Sequence, residues 1–495
     1  MCQTLKLIHS ICLATVVLAG FYSQADADVI SIQERIGRRP VVVYKMTISP
    51  AAEAVPAFRH RLTVPDIDKI PGNAVTHYLR SLGENSLNGI TEHFFKTYGN
   101  EHDGWDNWSS TETPVEKIPM EKLREASLTC DGYVNNHLKR ASMCRDADWG
   151  LAEETLSGSE TVGFLLPSVQ QTRSMARLLM LRNRLAVIDG RFEDSIEHLR
   201  MTYQLGQDVS EMKFLVAKLV GIAEVGIANE GMMHLIAADG SPNMYWALAE
   251  LPQPIVSIRD SVRLEASFAI RYFPVLMDIE SAEHSPEQWA AKLTEVFEDF
   301  ELASKMTGRG KDIAGLPGLG VAAALASYSS AKKRLVENGM DAEQVEKMAV
   351  AHVVLLDASQ DYQFYADAME SIYYLPQDKF QVFADRFEKK IRDDSQLARL
   401  GAVFADLFLP AMVQVRNAET RVQSQINVLQ AIEAIRDHVA TQGELPATLE
   451  EMDLPVRLDP LTSKPFKYQL DGDKAVLSIK ANVEFRYEIK IAPKK

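Results

Sequence analysis

The stretch from Pro167 to Ile236 constrains the fold more than any other part of this chain, because helix, glycine break, helix and helix follow one another directly. From Met175 the apolar residues Met175, Leu178, Leu179, Leu185 and Ala186 recur at the three-and-four spacing that lays a stripe along one helical face. Gly190 ends that helix. The next, Arg191 to Leu205, sets Phe192, Ile196, Leu199 and Tyr203 opposite Glu193, Asp194, Glu197 and Arg200. Two amphipathic helices about a glycine make a helical hairpin. A third helix, about Glu211 to Ile236, is apolar nearly all round, which predicts burial. Lys218, Glu224, Asn229 and Glu230 interrupt it, each costly at a bilayer centre, and argue against a membrane span.

The same patterning extends along the chain. Gly190, Phe192, Ser195 and Leu199 match the turn and second helix of a tetratricopeptide repeat, whose small residues admit close helix approach. Pro40 to Ile48 reads as a strand, with Phe58 to Val64 as its expected partner. Asn73, after Pro71-Gly72, is placed to cap a helix. Ile118 to Cys144 reads as helix, with Leu123, Cys130, Val134, Leu138 and Ala141 along one side, and Arg145 to Pro167 as a connector. Ser241-Pro242 and Ser285-Pro286 read as helix starts. Further helices are expected over Ile255 to Ile279, Val321 to Asn338, Asp341 to Leu375, Gln377 to Asp393 and Leu397 to Gln442. In the last of these Val422, Ile426, Leu429, Ile432, Ile435 and Val439 line a face. After Gly443 the period drops to two, around Asp471-Gly472, which predicts a small antiparallel module.

The N-terminus is an export signal by pattern. Lys6 and His9, the apolar run Ile11 to Tyr22 and Ala25-Asp26-Ala27 supply its charged, hydrophobic and small-residue parts, with cleavage expected after Ala27. The apolar run falls short of the ~20 residues a span needs, and Phe21 stands where a lipoprotein needs its modified cysteine. No stable membrane insertion is therefore expected after cleavage. The formal charge of −15 favours solubility and argues against nucleic acid as a partner. Cys130 and Cys144 would lie about 21 Å apart on one helix, beyond the ~7 Å a disulfide spans.

The phrases PAFRHRL from Pro56, PGNA from Pro71, SPNMYWALAELPQP from Ser241, MAVAHVVLL from Met348 and LDPLTSKPFKYQLDG from Leu458 together resemble a family of secreted, largely helical proteins of planctomycete-type bacteria. The resemblance implies a fold and an exported address, and no reaction. The closing part, QGELPATLEEM from Gln442 and then DPLTSKPFKY from Asp459, also looks like the end of the globular domain of type II secretion pseudopilins.

No catalytic, cofactor or metal constellation survives a spacing test. Glu101, His102, Asp103 and Asp106 sit with Trp105 and Trp108 in the loop GNEHDGWDNW, a polar and aromatic site for a cation or a sugar face, though not at EF-hand spacing. Asp459, Asp471 and Asp473 read as turn residues with calcium as the alternative. His352 and Asp357, five apart on a helix, diverge by about 140°, and Tyr245-Trp246 reads as a core anchor against the third central helix. Gly315, Gly318 and Gly320 reverse the dinucleotide spacing, and Gly310-Lys311 lacks the following Ser or Thr of a phosphate loop. Lys332-Lys333-Arg334 reads as a solvated helix face.

The expectation is a mainly α protein: signal peptide 1–27, N-terminal β element 28–70, a helical-hairpin, tetratricopeptide-like body 71–442 and a C-terminal antiparallel β module 443–495. The expected role is a non-enzymatic scaffold for a protein partner in the periplasm or cell envelope. A hydrolase of envelope or imported polymers, or an accessory of a secretion system, are the alternatives.

Overall fold

Chain order in the computed structural model runs β1 (Val29–Ile36), β2 (Arg39–Ile48), β3 (Ile70–Asn73), α1 (Ala74–Leu82), α2 (Met120–Thr129) and β4 (Cys144–Asp146). The helical body follows as α3 (Leu166–Ile188), α4 (Phe192–Val209), α5 (Leu215–Ala237), α6 (Tyr245–Glu250), α7 (Arg259–Ala266), α8 (Pro286–Thr307) and α9 (Tyr328–Glu337). It closes with α10 (Val350–Tyr373), α11 (Gln377–Gln396), α12 (Leu400–Phe408) and α13 (Pro410–Gln442), after which come β5 (Lys467–Asp471), β6 (Lys474–Lys480) and β7 (Glu484–Ile491). The structure describes residues 29–36, 39–82, 107–151, 166–277, 279–280, 283–307, 322, 325–397, 399–481 and 483–493. The expected export signal, Glu101 to Asp106 and the Gly310 to Gly320 motifs lie outside the described residues.

The α3–α4 hairpin forms as its sequence predicts. Gly190 takes φ +69°, its N–H donates to Val187 O at 3.0 Å, and the Arg191 N–H reaches back to Ala186 O at 2.8 Å, a glycine cap that satisfies the last carbonyls of α3. The stripes Met175 to Ala186 and Ile196, Leu199 and Tyr203 are buried. α5 packs on both helices, on α13 and on the sheet, and 72% of its apolar window lies inside the protein. Its length and hydropathy fit a membrane span, but here it is a core helix. Close approach is written in glycine: a Cβ at Gly206 would meet Gly221 O at 2.9 Å, so α4 and α5 touch backbone to backbone.

The strands from the two ends of the chain share one sheet, in the order β1-β2-β7-β6-β5. β2 and β7 pair in parallel, from Val41↔Glu484 to Ile48↔Ile491, and the other pairs are antiparallel. Period-two alternation puts Tyr44, Met46, Tyr487, Ile489, Ala475 and Leu477 on the face turned to the helices, where all are buried. One continuous core runs from Val29 to Ile489.

Several boundaries differ from expectation. Phe58 to Val64 forms turns, and the partner of β2 is β1, the segment directly before it, which needs only a tight connection to pair antiparallel. Helix persists from Met120 to Ala141 through a wider turn at Val134–Leu138, then yields to β4, so Cys144 leaves the helix. Cys130 and Cys144 are both free and buried. The helix expected from Ser241 starts at Tyr245, after Met244 at the N-cap, and Asn243 Oδ1 accepts the Tyr245 N–H at 2.9 Å. The run Ile255 to Ile279 is broken into α7 and shorter turns ahead of Pro274, and Pro410 separates α12 from α13.

A buried polar joint locks these layers. Arg436 on α13, fully enclosed, donates to Ser49 O at 3.0 Å, Ser241 O at 3.0 Å, Ser241 Oγ at 2.9 Å and Pro242 O at 3.3 Å, and it pairs with both Glu433 oxygens at 3.0 and 3.1 Å. Asn243 Nδ2 donates to Ala51 O at 2.8 Å and Glu433 O at 2.9 Å. The chain after β2, the turn before α6 and the end of α13 are thereby held at one point.

Candidate functional site

The string Arg145-Asp146-Ala147-Asp148-Trp149-Gly150 begins within β4 and runs on past it. β4 lies parallel to β3 (Ile70↔Cys144, Asn73↔Asp146), which delivers this string beside the start of α1. Asn73 Oδ1 accepts the Val75 N–H at 3.0 Å, capping α1 as the sequence predicts, while its amide donates to Asp148 O. Asp148 Oδ1 accepts the Gly150 N–H at 2.8 Å, and Gly150 turns the chain at φ +64°. Trp149 is thereby brought against α4, its Nε1–H donating to Asp208 O at 2.8 Å.

Asp208 occupies the last turn of α4 and is 6% exposed. Tyr78 of α1 donates to its Oδ2 at 2.7 Å, and Gln204, one turn earlier, donates to its Oδ1 at 2.7 Å. The Tyr78 and Trp149 rings stack with centroids 6.4 Å apart and planes 15° from parallel. Around this group opens a cleft of about 630 Å³, whose wall mixes Lys69, Arg145 and Lys213 with Asp146, Asp148 and Glu211 beside Trp149.

Burial pushes the Asp208 carboxyl up to about 7; Glu211 adds to the rise, while the Tyr78 and Gln204 hydrogen bonds and Lys69 oppose it. A carboxyl raised toward neutral pH is suited to giving or taking a proton. Behind it on α5, Glu224 is fully buried; the Thr172 hydroxyl beside it donates to Val169 O at 2.6 Å, and among the described residues neither Glu224 oxygen has a hydrogen bond of good geometry. Burial pushes Glu224 up to about 8, against the nearby Thr172 hydroxyl and Arg173, which lower it, and with a small addition from the Asp208 charge. Perturbed carboxyls at a cleft mark a functional-site candidate.

The residues singled out in the sequence disperse. Of the GNEHDGWDNW loop, Trp108 is buried in the core rather than exposed, and Glu101, His102, Asp103, Trp105 and Asp106 lie outside the described residues. His352 stacks on Trp289 with centroids 4.0 Å apart and donates to Ile279 O at 2.8 Å, whereas Asp357 holds Arg334 at 2.5 and 2.9 Å. Arg334 therefore turns inward from its basic run, while Lys332 pairs with Glu346 and Lys333 with Glu337. Asp459 accepts from Ser424 Oγ at 2.7 Å and closes its own turn, Asp473 pairs with Lys490, and the β5–β6 turn is Gly472-Asp473, one residue beyond the expected Asp471-Gly472, since Asp471 still pairs with Lys474 in the ladder. Among the described residues no group of three or more His, Cys, Asp or Glu is disposed to hold a metal ion. Tyr245 and Trp246 anchor α6 on α13 rather than on the third central helix, Tyr245 OH donating to Pro455 O at 2.7 Å and Trp246 Nε1 to Glu53 at 2.6 Å.

Asp208, Tyr78 and Trp149 were not singled out from sequence. The available signal was the acid-aromatic string at Asp146 to Gly150, similar in kind to the GNEHDGWDNW loop. Comparison with known protein families, with curated proteins and with solved structures finds no match for this chain.

Proposed function

We propose that this chain is an exported, non-enzymatic binding protein of the bacterial cell envelope that holds a segment of a protein partner in the Asp208 cleft. One observation carries the reading: the floor of the cleft is fixed by hydrogen bonds, with both Asp208 oxygens occupied, while its wall offers both signs of charge beside an indole. Fixed polar groups around an aromatic ring suit recognition, because little side-chain entropy is lost on binding. The export-signal pattern at Lys6 to Ala27 supports the compartment.

The test is capture from envelope extract on the mature chain, Asp28 to Lys495, beside Trp149→Ala and Lys213→Glu. A protein retained by the parent and lost from both variants supports the proposal. No retained protein, or equal retention by all three chains, overturns it.

A second reading, hydrolysis of an envelope polymer, is favoured by the carboxyl held near neutral in a cleft with further carboxylates. It requires that the purified chain cleave a peptidoglycan or polysaccharide probe and that Asp208→Asn abolish the cleavage.

A further inference from the structure

A second cavity lies between the sheet and the helix pair α5 and α13, apart from the Asp208 cleft. Its volume is about 280 Å³. Tyr44, Phe485 and Tyr487 form the sheet-side wall, with Tyr44 and Tyr487 stacked at 5.1 Å and Tyr44 and Phe485 at 6.5 Å. Across from them α13 presents Arg421 and Gln425, four residues apart and so on one helical face.

Arg421 is the anomaly. The buried Arg436 is matched by Glu433 and three carbonyls, and the partly buried Arg399 and Arg334 by Asp361 and Asp357. Arg421 is partly buried on the cavity wall, and among the described residues it makes no hydrogen bond or ion pair. A guanidinium carries a fork of donors and no acceptor, and taking it from water without an anion is costly unless a ligand completes it. Gln425 beside it is likewise without a hydrogen-bond partner among the described residues. The complement to a fork plus an amide donor is a planar carboxylate, bound bidentate.

The remainder of the cavity fixes the rest of the ligand. Tyrosine and phenylalanine rings on one side, with Ile222, Ile227 and Leu429 on the other, accept a flat ring, and Asn229 and Glu230 of α5 give that end of the cavity a polar margin suited to a ring hydroxyl. The volume sits just under the ~300 Å³ where pockets for drug-sized molecules begin, so the occupant is about the size of an amino acid. Gly226 of α5 opens the space, because a Cβ there would meet nothing within 4 Å.

We propose that this cavity binds a small aromatic carboxylate, with Arg421 and Gln425 holding the carboxylate and Tyr44, Phe485 and Tyr487 holding the ring. The site is separate from the cleft, so its failure and that of the protein-binding proposal are distinguishable.

Isothermal titration of the purified chain with 4-hydroxyphenylacetate, L-phenylalanine, the neutral amide 4-hydroxyphenylacetamide and inorganic phosphate tests it. Saturable binding of at least one carboxylate is expected, with the amide weaker. Arg421→Met is expected to weaken carboxylate binding by about 10- to 100-fold. It is also expected to raise the melting temperature of the ligand-free protein, which a structural arginine would lower. Gly226→Leu, which fills the cavity from the opposite wall and leaves Arg421 in place, is expected to abolish binding in a folded protein. The proposal is overturned if neither carboxylate binds, if phosphate alone binds, or if binding survives unchanged in both variants.

Discussion

Arg436 and Ser49 stand 387 positions apart in sequence and share a hydrogen bond of 3.0 Å, the arginine Nε–H donating to the serine carbonyl inside the core. That single donor ties the chain leaving β2 to the last long helix. The remaining donors of the same guanidinium reach Glu433, Ser241 and Pro242, so no other side chain of comparable length could replace it.

Arg436→Met is therefore expected to destabilise the protein by about 3–5 kcal/mol, because it leaves Glu433 charged and unpaired in the core along with orphaned carbonyls. Arg436→Lys, a point charge without the fork, should lose a large part of that. The double variant with Glu433→Leu should recover stability relative to Arg436→Met. Urea unfolding measures all three, and an Arg436→Met midpoint equal to the parent's would disprove the joint's importance.

Stability should fall as pH rises from near 5.5 to near 8.5. Burial lifts Glu224 to about 8 and Asp208, Glu230 and Glu265 to about 7, above their unfolded values, so the native state keeps protons that the unfolded chain has released. Their contribution is whole below the ordinary carboxylate range and is lost as pH climbs through the folded values, at about 1.4 kcal/mol per unit of separation at most. His198 acts in the opposite sense, since burial pushes it down to about 3 and its contribution is lost as pH falls below its ordinary value. Glu224→Gln should flatten the alkaline slope. Melting temperatures of parent and variant across that range decide it, and identical slopes would refute the assignment.

Two glycines of α5 should respond in opposite directions to alanine. At Gly221 a methyl would run into the Gly206 carbonyl oxygen, and backbone cannot give way as a side-chain tip can, so Gly221→Ala should cost about 1–3 kcal/mol. At Gly226 a methyl meets nothing within 4 Å. Gly226→Ala should gain about 0.5–1 kcal/mol from helix propensity. Thermal or denaturant unfolding of the pair tests the close approach of α4 and α5.

What could be read in the sequence was whatever repeats locally. The stripes of α3 and α4, the Gly190 stop, the Asn73 cap, the Val422 to Val439 face and, to within one residue, the β5–β6 turn each follow from neighbours within a few residues. Pairing of β2 with β7 follows from no local pattern. Nor does the Arg436 joint, since periodicity marks apolar residues and a buried arginine interrupts it. The Asp208 site failed to show for the same reason: Trp149 and Asp208 are 59 positions apart, and only the β3–β4 ladder brings the tryptophan to the end of α4.

Removing β7, by ending the chain at Lys480, should abolish cooperative unfolding rather than yield a shorter stable protein. β2 and β6 would each lose the neighbour on one edge, and Tyr487 and Ile489 would leave the core. Circular dichroism melting and limited proteolysis report the outcome, and a truncated chain with the parent's melting temperature would contradict it.

The parallel pairing of β2 with β7 has a temporal meaning as well. A ribosome releases β2 long before β7, so β2 must wait with one edge unfilled while the helical body is made. Folding dominated by such distant contacts is slow and late. That delay keeps the polypeptide unfinished, and hence threadable, until β7 appears.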